Sequence, residues 1–351
     1  MIVHEADPYN AESTPDALAD RLITPIDSFY SRNHGPVPLI DPAGWRLRIG
    51  GLVERDLELS LADLHRFTPR TLTATLQCAG NRRSGLIRVR DIPGEHPWGP
   101  GAISTAEWTG VSLAEVLRAA GPREGARHVA FSASDISPLA DPPQPFGGSV
   151  PLPKALAGEV LLAWAMNGQP LPPVHGGPVR VVVPGYIGAR SVKWIEQITV
   201  ADHPSENYFQ ATAYRLLPAD AGPGAAGPGV GVSLGCVAVN ADILRPADGA
   251  ALTPGRADVT GYAIAGDQRG IARVDVSTDG GRTSQQADLG DDAGCWAWRH
   301  WRTVIIVPPG RTEIIARATD TAAVQPESAA RLWNPKGYAN NSWARAQVDT
   351  G

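Results

Sequence analysis

Apolar and polar positions follow two different periodicities along the first part of the chain. Residues 72–76 alternate apolar and hydroxyl side chains, which predicts a half-buried strand. Residues 57–67 and 112–120 carry apolar residues at helical spacing, so both segments are predicted to be helices. Residues 179–183 form a mostly apolar run that is typical of a buried strand. Mixed strands and helices predict an α+β domain.

The predicted helix at 112–120 has signals at both ends. Ser112 and Glu115 have the spacing of a capping box, in which side chains satisfy free amides of the first turn. Gly121 and Pro122 follow the last helical residue and predict the end of the helix.

Helical spacing fades in the last third of the chain, where short strands are predicted. Residues 271–277 alternate, a turn follows at 279–281, and apolar runs occupy 304–307 and 314–318. This pattern favours a β-sandwich. Three tryptophans of this region are expected in the sandwich core or at a dimer interface: Trp296, Trp298 and Trp301.

A segment rich in proline, glycine and alanine separates the two patterns. Residues 218–231 read PADAGPGAAGPGVG and have no apolar periodicity. Such a composition is typical of a linker or a long exposed loop. We therefore predict two domains, residues 1–230 and residues 231–351.

Composition and charge exclude several classes of protein. The 351 residues carry a formal net charge of −5, which argues against nucleic acid or an anionic membrane as a partner. No apolar run approaches the roughly 20 residues of a membrane span, and the N-terminal residues lack the features of an export signal. Three cysteines without a CxxC pair predict neither a disulfide framework nor a zinc site. We expect a cytoplasmic protein.

The segment TLQCAGNRRSG at 75–85 contains the strongest candidate chemistry. Cys78 follows the predicted strand and precedes two adjacent cations, Arg82 and Arg83. A thiol near two cations is expected to have a lowered pKa, and a thiolate either attacks electrophiles or binds soft metals. Both a nucleophile and a metal ligand are consistent with these residues.

Six motifs in the same order resemble the sulfite oxidase family of molybdenum enzymes. They cover most of the chain and read SRNHGPVP (31–38), CAGNRR (78–83), GAISTAEWTGVSL (101–113), MNGQPLP (166–172), HGGPVRVVVPGYIGARSVKW (175–194) and WNPKGYANNSW (333–343). The resemblance implies an α+β molybdopterin-binding domain followed by an all-β immunoglobulin-like domain that mediates homodimerisation. It also implies a molybdenum–molybdopterin cofactor. The chain has no room for the haem domain of some members, so electrons are expected to pass to a separate acceptor such as oxygen or a c-type cytochrome.

The resemblance assigns roles to residues near the metal. Cys78 would ligate molybdenum, and the residues expected at the substrate are Arg32, Arg83, Trp98, Tyr214 and Lys336. Tyr208 competes with Tyr214 as the active-site tyrosine. Lys336 stands where sulfite-oxidising relatives usually have arginine and nitrate-reducing relatives an uncharged methionine; it keeps the charge without the forked donor. Arg82 is expected in a structural ion pair, and Arg190 is expected to be solvated.

The resemblance also assigns a set of pterin-binding residues. These are Tyr30, Asn33, His34, Asp135, His175, Arg180, Ser191 and Lys193. Cations in the set would hold the terminal phosphate, and Asp135 would accept hydrogen bonds from the pterin ring.

The implied reaction is oxidation of sulfite to sulfate by oxygen-atom transfer. One alternative is a molybdenum enzyme for another oxyanion or S-oxide, such as nitrate. A further alternative is a hydrolase with Cys78 as nucleophile and His34 or His175 as base.

Overall fold

The computed structural model describes residues 1–350, and β-strands dominate its first part. These strands are β1 (Ile2–Ala6), β2 (Tyr9–Glu12), β3 (Arg46–Gly51), β4 (Leu57–Ser60), β5 (Pro69–Gln77), β6 (Ile103–Ser112), β7 (His128–Ser137), β8 (Gln144–Pro151), β9 (Leu161–Met166), β10 (Gln169–Pro170), β11 (Arg180–Val182), β12 (Ile195–Ala201) and β13 (Arg215–Leu216). The helices are short: α1 (Pro15–Ala19), α2 (Leu61–Leu64), α3 (Arg83–Ile87), α4 (Leu113–Ala120) and α5 (Leu152–Ala155).

Two five-stranded sheets form the framework of this part. One has the order β10-β9-β6-β5, with β11 also paired to β9, and the other has the order β4-β3-β12-β7-β8. Their buried residues share one apolar core, which includes Val111 of β6, Leu162 of β9 and Ile198 of β12. The predicted α+β class is confirmed, with most of the regular structure in strands.

The predicted strand at 72–76 is confirmed as part of β5, whereas the predicted helix at 57–67 is wrong at its start. Leu57–Ser60 forms strand β4, because it pairs with β3 at the edge of a sheet. Only Leu61–Leu64 is helical, and its capping box uses Ser60 and Asp63. Pairing along the sheet overrides the local helical spacing.

Helix α4 is confirmed, but its predicted side-chain cap is wrong. Ser112 is the last residue of β6, and its buried hydroxyl makes no capping hydrogen bond. Gly121 ends the helix with φ 74°, a left-handed conformation that glycine adopts without strain.

The second part is an all-β sandwich. Its strands are β14 (Val232–Ser233), β15 (Asn240–Arg245), β16 (Ala250–Leu252), β17 (Gly255–Ile264), β18 (Ile271–Ser277), β19 (Gln285–Gln286), β20 (Asp288–Leu289), β21 (Arg299–Val307), β22 (Gly310–Asp320) and β23 (Ala344–Thr350), with one helix, α6 (Ala329–Leu332). Sheets β15-β17-β21-β20 and β16-β23-β22-β18-β19 face each other. Val259, Trp301, Val274 and Ala316 are among the residues that fill the space between them.

The segment at 218–231 is a loop whose ends are joined by a short ladder. Strands β13 and β14 pair through Arg215 and Ser233 and through Leu216 and Val232. The Arg215 side chain donates hydrogen bonds to backbone carbonyls of the loop, among them that of Gly231 at 2.7 Å. The two-domain boundary at residue 230 stays a prediction.

The three tryptophans do not form one cluster. Trp301 lies in the sandwich core, as expected. Trp298 is instead buried in the core of the first part, and its amide donates to the Thr75 hydroxyl at 2.8 Å. The Thr75 amide in turn donates to the carbonyl of Trp296 at 2.9 Å. The segment before β21 therefore contacts the strand that leads to Cys78. The sandwich or dimer role expected for Trp296 and Trp298 is wrong.

Among residues 1–350, no helix combines the length and hydropathy that a membrane span requires.

Candidate active site

One cavity collects most of the predicted site residues. The predicted residues that line it are Tyr30, Arg32, Asn33, His34, Cys78, Asp135, His175, Arg180, Ser191, Lys193 and Tyr214. Three predicted residues lie outside this lining: Arg83, Trp98 and Lys336. Residues far apart in sequence therefore converge on one concave site, as expected for a small-molecule site.

Cys78 lies just beyond the end of β5, with its thiol in the cavity wall. Its amide donates to the carbonyl of Ala102 at 2.9 Å, and its Sγ atom accepts a hydrogen bond from the Gly80 amide at 3.4 Å. Burial raises the pKa of the Cys78 thiol, although the nearby charge of Arg83 opposes that shift. The predicted lowering of this pKa is wrong, because the loss of hydration outweighs the cation.

Arg82 points away from the cavity, as predicted. It has φ 64° at the N-terminus of α3, so its side chain diverges from that of Arg83. Its Nε atom lies 2.6 Å from a carboxylate oxygen of Asp242, and its Nη1 donates to Asn240 at 2.8 Å. Both partners belong to β15, so Arg82 joins the first part of the chain to the sandwich.

Arg83 and Lys336 share one carboxylate beside the Cys78 loop. Arg83 Nη2 lies 3.2 Å from Glu95, and Lys336 Nζ lies 3.4 Å from the other oxygen of Glu95. A Cβ atom on Gly80 would stand 2.6 Å from the Arg83 guanidinium, so only glycine leaves room for it there. Both predicted substrate cations are thus next to the cavity but engaged with Glu95.

Trp98 is fully buried behind the cavity. Its ring meets His4 edge to face at 4.7 Å, and it belongs to the same apolar cluster as Cys78. The structure places it as support for the cysteine loop, outside the cavity lining.

Tyr214 and His34 form a buried hydrogen-bonded pair in the cavity wall. The Tyr214 hydroxyl and His34 Nε2 are 2.7 Å apart. Burial raises the pKa of Tyr214 and lowers the pKa of His34, so both groups stay neutral at ordinary pH. A π-helical turn at Phe209–Ala213 precedes Tyr214 and orients it. Tyr208, the competing candidate, is outside the lining.

Cations without carboxylate partners gather at another wall of the cavity. Arg180 donates to the carbonyls of His175 and Ser191, at 2.9 Å each, and burial lowers its pKa to about 10. Lys193 donates to the carbonyl of Val174 at 3.0 Å and to the side chain of Asn33. Both cations are hydrogen-bonded to neutral groups and have no paired carboxylate counter-charge within residues 1–350, so an anion such as a phosphate would be bound favourably here.

His175 is neutral in this setting. Burial and the charge of Lys193 lower its pKa to about 3. Its Nε2 atom lies 3.1 Å from the carbonyl of Ile26, which requires Nε2 to carry the proton. Its other ring nitrogen is then an acceptor.

Asp135 has a buried carboxylate oxygen, Oδ1, without a hydrogen-bond partner. Burial raises the pKa of Asp135 to about 6, and Lys193 opposes this shift. A buried acceptor without a donor is costly in a protein alone. A bound heterocycle with N–H donors would satisfy it, which is what the predicted pterin ring offers.

The protein by itself supplies few metal ligands here. Within residues 1–350, no three His, Cys, Asp or Glu side chains are grouped so that they could hold a metal. A metal at Cys78 would therefore take its other ligands from a cofactor. The single thiol, the unpartnered Asp135 oxygen and the unpaired cations together fit a metal-bearing, phosphate-containing heterocycle.

Comparison with known proteins agrees with this chemistry. Residues 34–209 match the family model described as an oxidoreductase molybdopterin binding domain, and residues 234–351 match that of a Mo-co oxidoreductase dimerisation domain. Sulfite oxidase of Gallus gallus is 44% identical over 98% of this chain and 76% of its own length. The chain belongs to the sulfite oxidase family. The mitochondrial enzyme of Mus musculus is 42% identical over 97% of this chain, which spans 64% of that relative's length.

A solved structure and a relative with another activity are also similar to this chain. The sulfane dehydrogenase SoxCD from Paracoccus pantotrophus superposes with a TM-score of 0.82 at 29% identity, covering 96% of this chain and 84% of that chain. A nitrate reductase of Aspergillus niger is 35% identical, over 97% of this chain and 43% of its own length.

Sequence reasoning missed several residues around this sulfite oxidase family cavity. Phe146 stacks on His34 at 4.7 Å, and Asn10 of β2 accepts hydrogen bonds from Arg32 and from the Asn33 amide. No motif marked either residue, because stacking and hydrogen-bond support leave no spacing pattern. Arg190 was expected to be solvated, but it is buried and donates to the carbonyl of Leu234 at 2.9 Å.

Proposed function

We propose that this protein oxidises sulfite to sulfate by oxygen-atom transfer and passes the electrons to a separate acceptor. The observation that carries the proposal is the convergence of Cys78, Arg32 and Tyr214 on the cavity that also holds the unpaired cations and Asp135. The similar proteins are sulfite oxidases and a sulfane dehydrogenase, which supports a sulfur compound as substrate.

The residues would hold the molybdenum–molybdopterin cofactor at two ends. Cys78 would bind the metal as a thiolate, since a soft ligand suits it. Arg180, Lys193, His175 and Ser191 would hold the phosphate, and Asp135 would accept from ring N–H groups. When bound, the cofactor supplies the two-electron oxygen-transfer chemistry, while the protein supplies binding and orientation.

The remaining residues act on the substrate. Arg32 is half-buried in the lining, and its Nη1 already donates to Asn10, which fixes the guanidinium so that free donors face the cavity. Arginine is suited to clustered oxygens because its donors form a fork. Tyr214, neutral and held by His34, would donate its hydroxyl proton to an oxygen of the anion.

The test combines metal analysis with turnover. Protein made in a host that synthesises the cofactor should contain molybdenum and pterin, and should oxidise sulfite with ferricyanide or oxygen as acceptor. Absence of both molybdenum and pterin from such protein would remove the proposal. The two acceptors also separate an oxidase from a dehydrogenase.

Two alternatives receive less support from the site. Nitrate or an S-oxide is the alternative substrate within the same chemistry, and turnover of nitrate with a reduced dye tests it directly. A cysteine hydrolase needs a base beside the thiol. Among the described residues, the Cys78 Sγ atom is hydrogen-bonded to the Gly80 amide and to neither histidine. Burial also lowers the pKa of both histidines, which makes them weak bases.

We further propose a homodimer that assembles through the sandwich, an immunoglobulin-like fold for this sandwich, and a cytoplasmic location. The dimerisation-domain match over residues 234–351 supports the homodimer, and multi-angle light scattering tests it. The two facing sheets of mostly antiparallel strands support the immunoglobulin-like fold. Cys78, Cys236 and Cys295 are free thiols, which suits a reducing compartment. Cell fractionation tests the cytoplasmic location.

A further inference from the structure

Glu95 lies between two cations beside the Cys78 end of the cavity. Its Oε2 atom is 3.2 Å from Arg83 Nη2, and its Oε1 atom is 3.4 Å from Lys336 Nζ. Each carboxylate oxygen is therefore engaged by a different cation.

The two cations differ in how firmly they are held. The Arg83 side chain is 3% exposed, and it also donates to the carbonyls of Lys336 at 3.0 Å and His96 at 2.8 Å. The Lys336 side chain is 31% exposed and reaches Glu95 over a long contact. Since a partly exposed ion pair with a long contact contributes little stability, the ammonium of Lys336 can leave Glu95 more easily than Arg83 can.

The charge of Glu95 acts inside the cavity. Burial is the main cause of the raised pKa of Tyr214, and the negative charge of Glu95 adds to it. Tyr214 lies in the cavity wall, so the potential of Glu95 reaches this end of the site.

We propose that Glu95 sets the anion specificity of the site by holding Lys336 until an oxyanion binds near Cys78 and draws the ammonium to itself. This inference rests on the proposed oxyanion-binding function. Around the Cys78 end of the cavity, apart from Arg180 and Lys193 at the other wall, the cations Arg32, Arg83 and Lys336, less the one carboxylate, leave two net positive charges. That value matches a dianion, and removal of Glu95 would raise the positive potential and favour a dianion over a monoanion more strongly than the intact site does.

Glu95→Gln tests the proposal, because the amide keeps the size of the side chain and removes its charge. The electrostatic free energy of an anion is its charge multiplied by the potential, so the change acts twice as strongly on a dianion as on a monoanion. At low ionic strength we expect the sulfate Kd to fall about tenfold and the nitrate Kd about threefold. Isothermal titration calorimetry of the resting holoenzyme measures both constants.

A matched control and a second variant keep the result interpretable. Glu159 pairs with Lys154 at 2.7 Å, with both side chains 12% exposed, so Glu159→Gln removes a comparable ion pair and should leave both Kd values unchanged. Lys336→Gln should raise both Kd values, and the factor for sulfate should be about the square of the factor for nitrate. This variant tests the same charge dependence if Glu95→Gln does not fold.

The outcomes separate this inference from the proposed function. An unchanged sulfate Kd in Glu95→Gln, equal factors for sulfate and nitrate, or no sulfate binding at all would overturn the role of Glu95. Calorimetry requires no turnover. Failure to oxidise sulfite, with the charge-dependent binding intact, would therefore remove the proposed reaction and leave the anion specificity standing.

Discussion

Arg82 and Asp242 form an ion pair across the two parts of the molecule, with Arg82 Nε 2.6 Å from the carboxylate. Their side chains are 9% and 14% exposed, so neither charge is well hydrated. Burial raises the pKa of Asp242 and Arg82 opposes that shift, so the carboxylate depends on its partner to remain charged. This pair anchors the loop of Cys78 to the sandwich.

Asp242→Asn is expected to destabilise the protein by about 3 kcal/mol, because it leaves the Arg82 guanidinium buried without a counter-charge. Urea unfolding measures this change. Asp258→Asn is the matched control, since Asp258 pairs with Arg302 at 2.8 Å on the surface with both side chains more than half exposed. The control should shift stability by less than about 0.5 kcal/mol. A similar loss in the two variants would contradict the anchoring role.

Cys78→Ser is expected to abolish sulfite oxidation while the fold and the bound pterin persist. A hydroxyl is a poor ligand for a soft metal, whereas the pterin contacts lie on other elements of the cavity. Turnover, pterin fluorescence after extraction and circular dichroism measure the three properties. Wild-type turnover in this variant would remove Cys78 from the mechanism.

Tyr214→Phe is expected to lower kcat by about tenfold to a hundredfold, because it removes the hydroxyl that His34 holds in the cavity. Tyr208→Phe is the control, since Tyr208 lies outside the lining. Steady-state kinetics of both variants distinguishes the two tyrosines. The assignment to Tyr214 fails if the larger loss occurs in Tyr208→Phe.

Asp135→Asn is expected to have opposite effects on the cofactor-free and cofactor-bound protein. The folded-state pKa of about 6 lies above the ordinary 3.8, so the folded protein binds the extra proton between these values. Stability of the cofactor-free protein therefore falls as pH rises from about 4 to about 6. Asparagine removes this pH dependence and should raise stability at pH 8 by about 3 kcal/mol.

The same substitution should weaken cofactor retention, because an amide replaces one acceptor oxygen by a donor. Thermal unfolding across pH, with and without cofactor, measures both effects. An unchanged pH profile in cofactor-free Asp135→Asn would show that the carboxylate is not the titrating group.

The parts of the fold that depend on local pattern could be predicted from sequence. Strand β5, helix α4 and the short strands of the sandwich have periodicities that match their burial. The helix predicted at 57–60 is wrong, because these residues pair antiparallel with β3, the strand that ends at Gly51. The apolar spacing of one segment does not show that a neighbouring strand will pair with it.

The sequence predicted which residues belong to the candidate site, but not which of them contact each other. The six motifs identified most of the cavity residues, but nothing in the sequence indicated that Glu95 forms ion pairs with both Arg83 and Lys336. The raised pKa of Cys78 was also missed, since a sequence displays neighbouring charges and conceals burial. Whether burial or a neighbouring charge dominates a pKa shift can be judged only from the folded structure.

The contact between Thr75 and the segment at Trp296–Trp298 has a consequence for biosynthesis. The strand that presents Cys78 is completed by residues more than two hundred positions later, and Arg82 likewise waits for Asp242. A ribosome releases these partners long after the segment that contains Cys78. Cofactor capture should therefore wait for residues 242–298, and a nascent chain that lacks these residues should be unable to retain the cofactor.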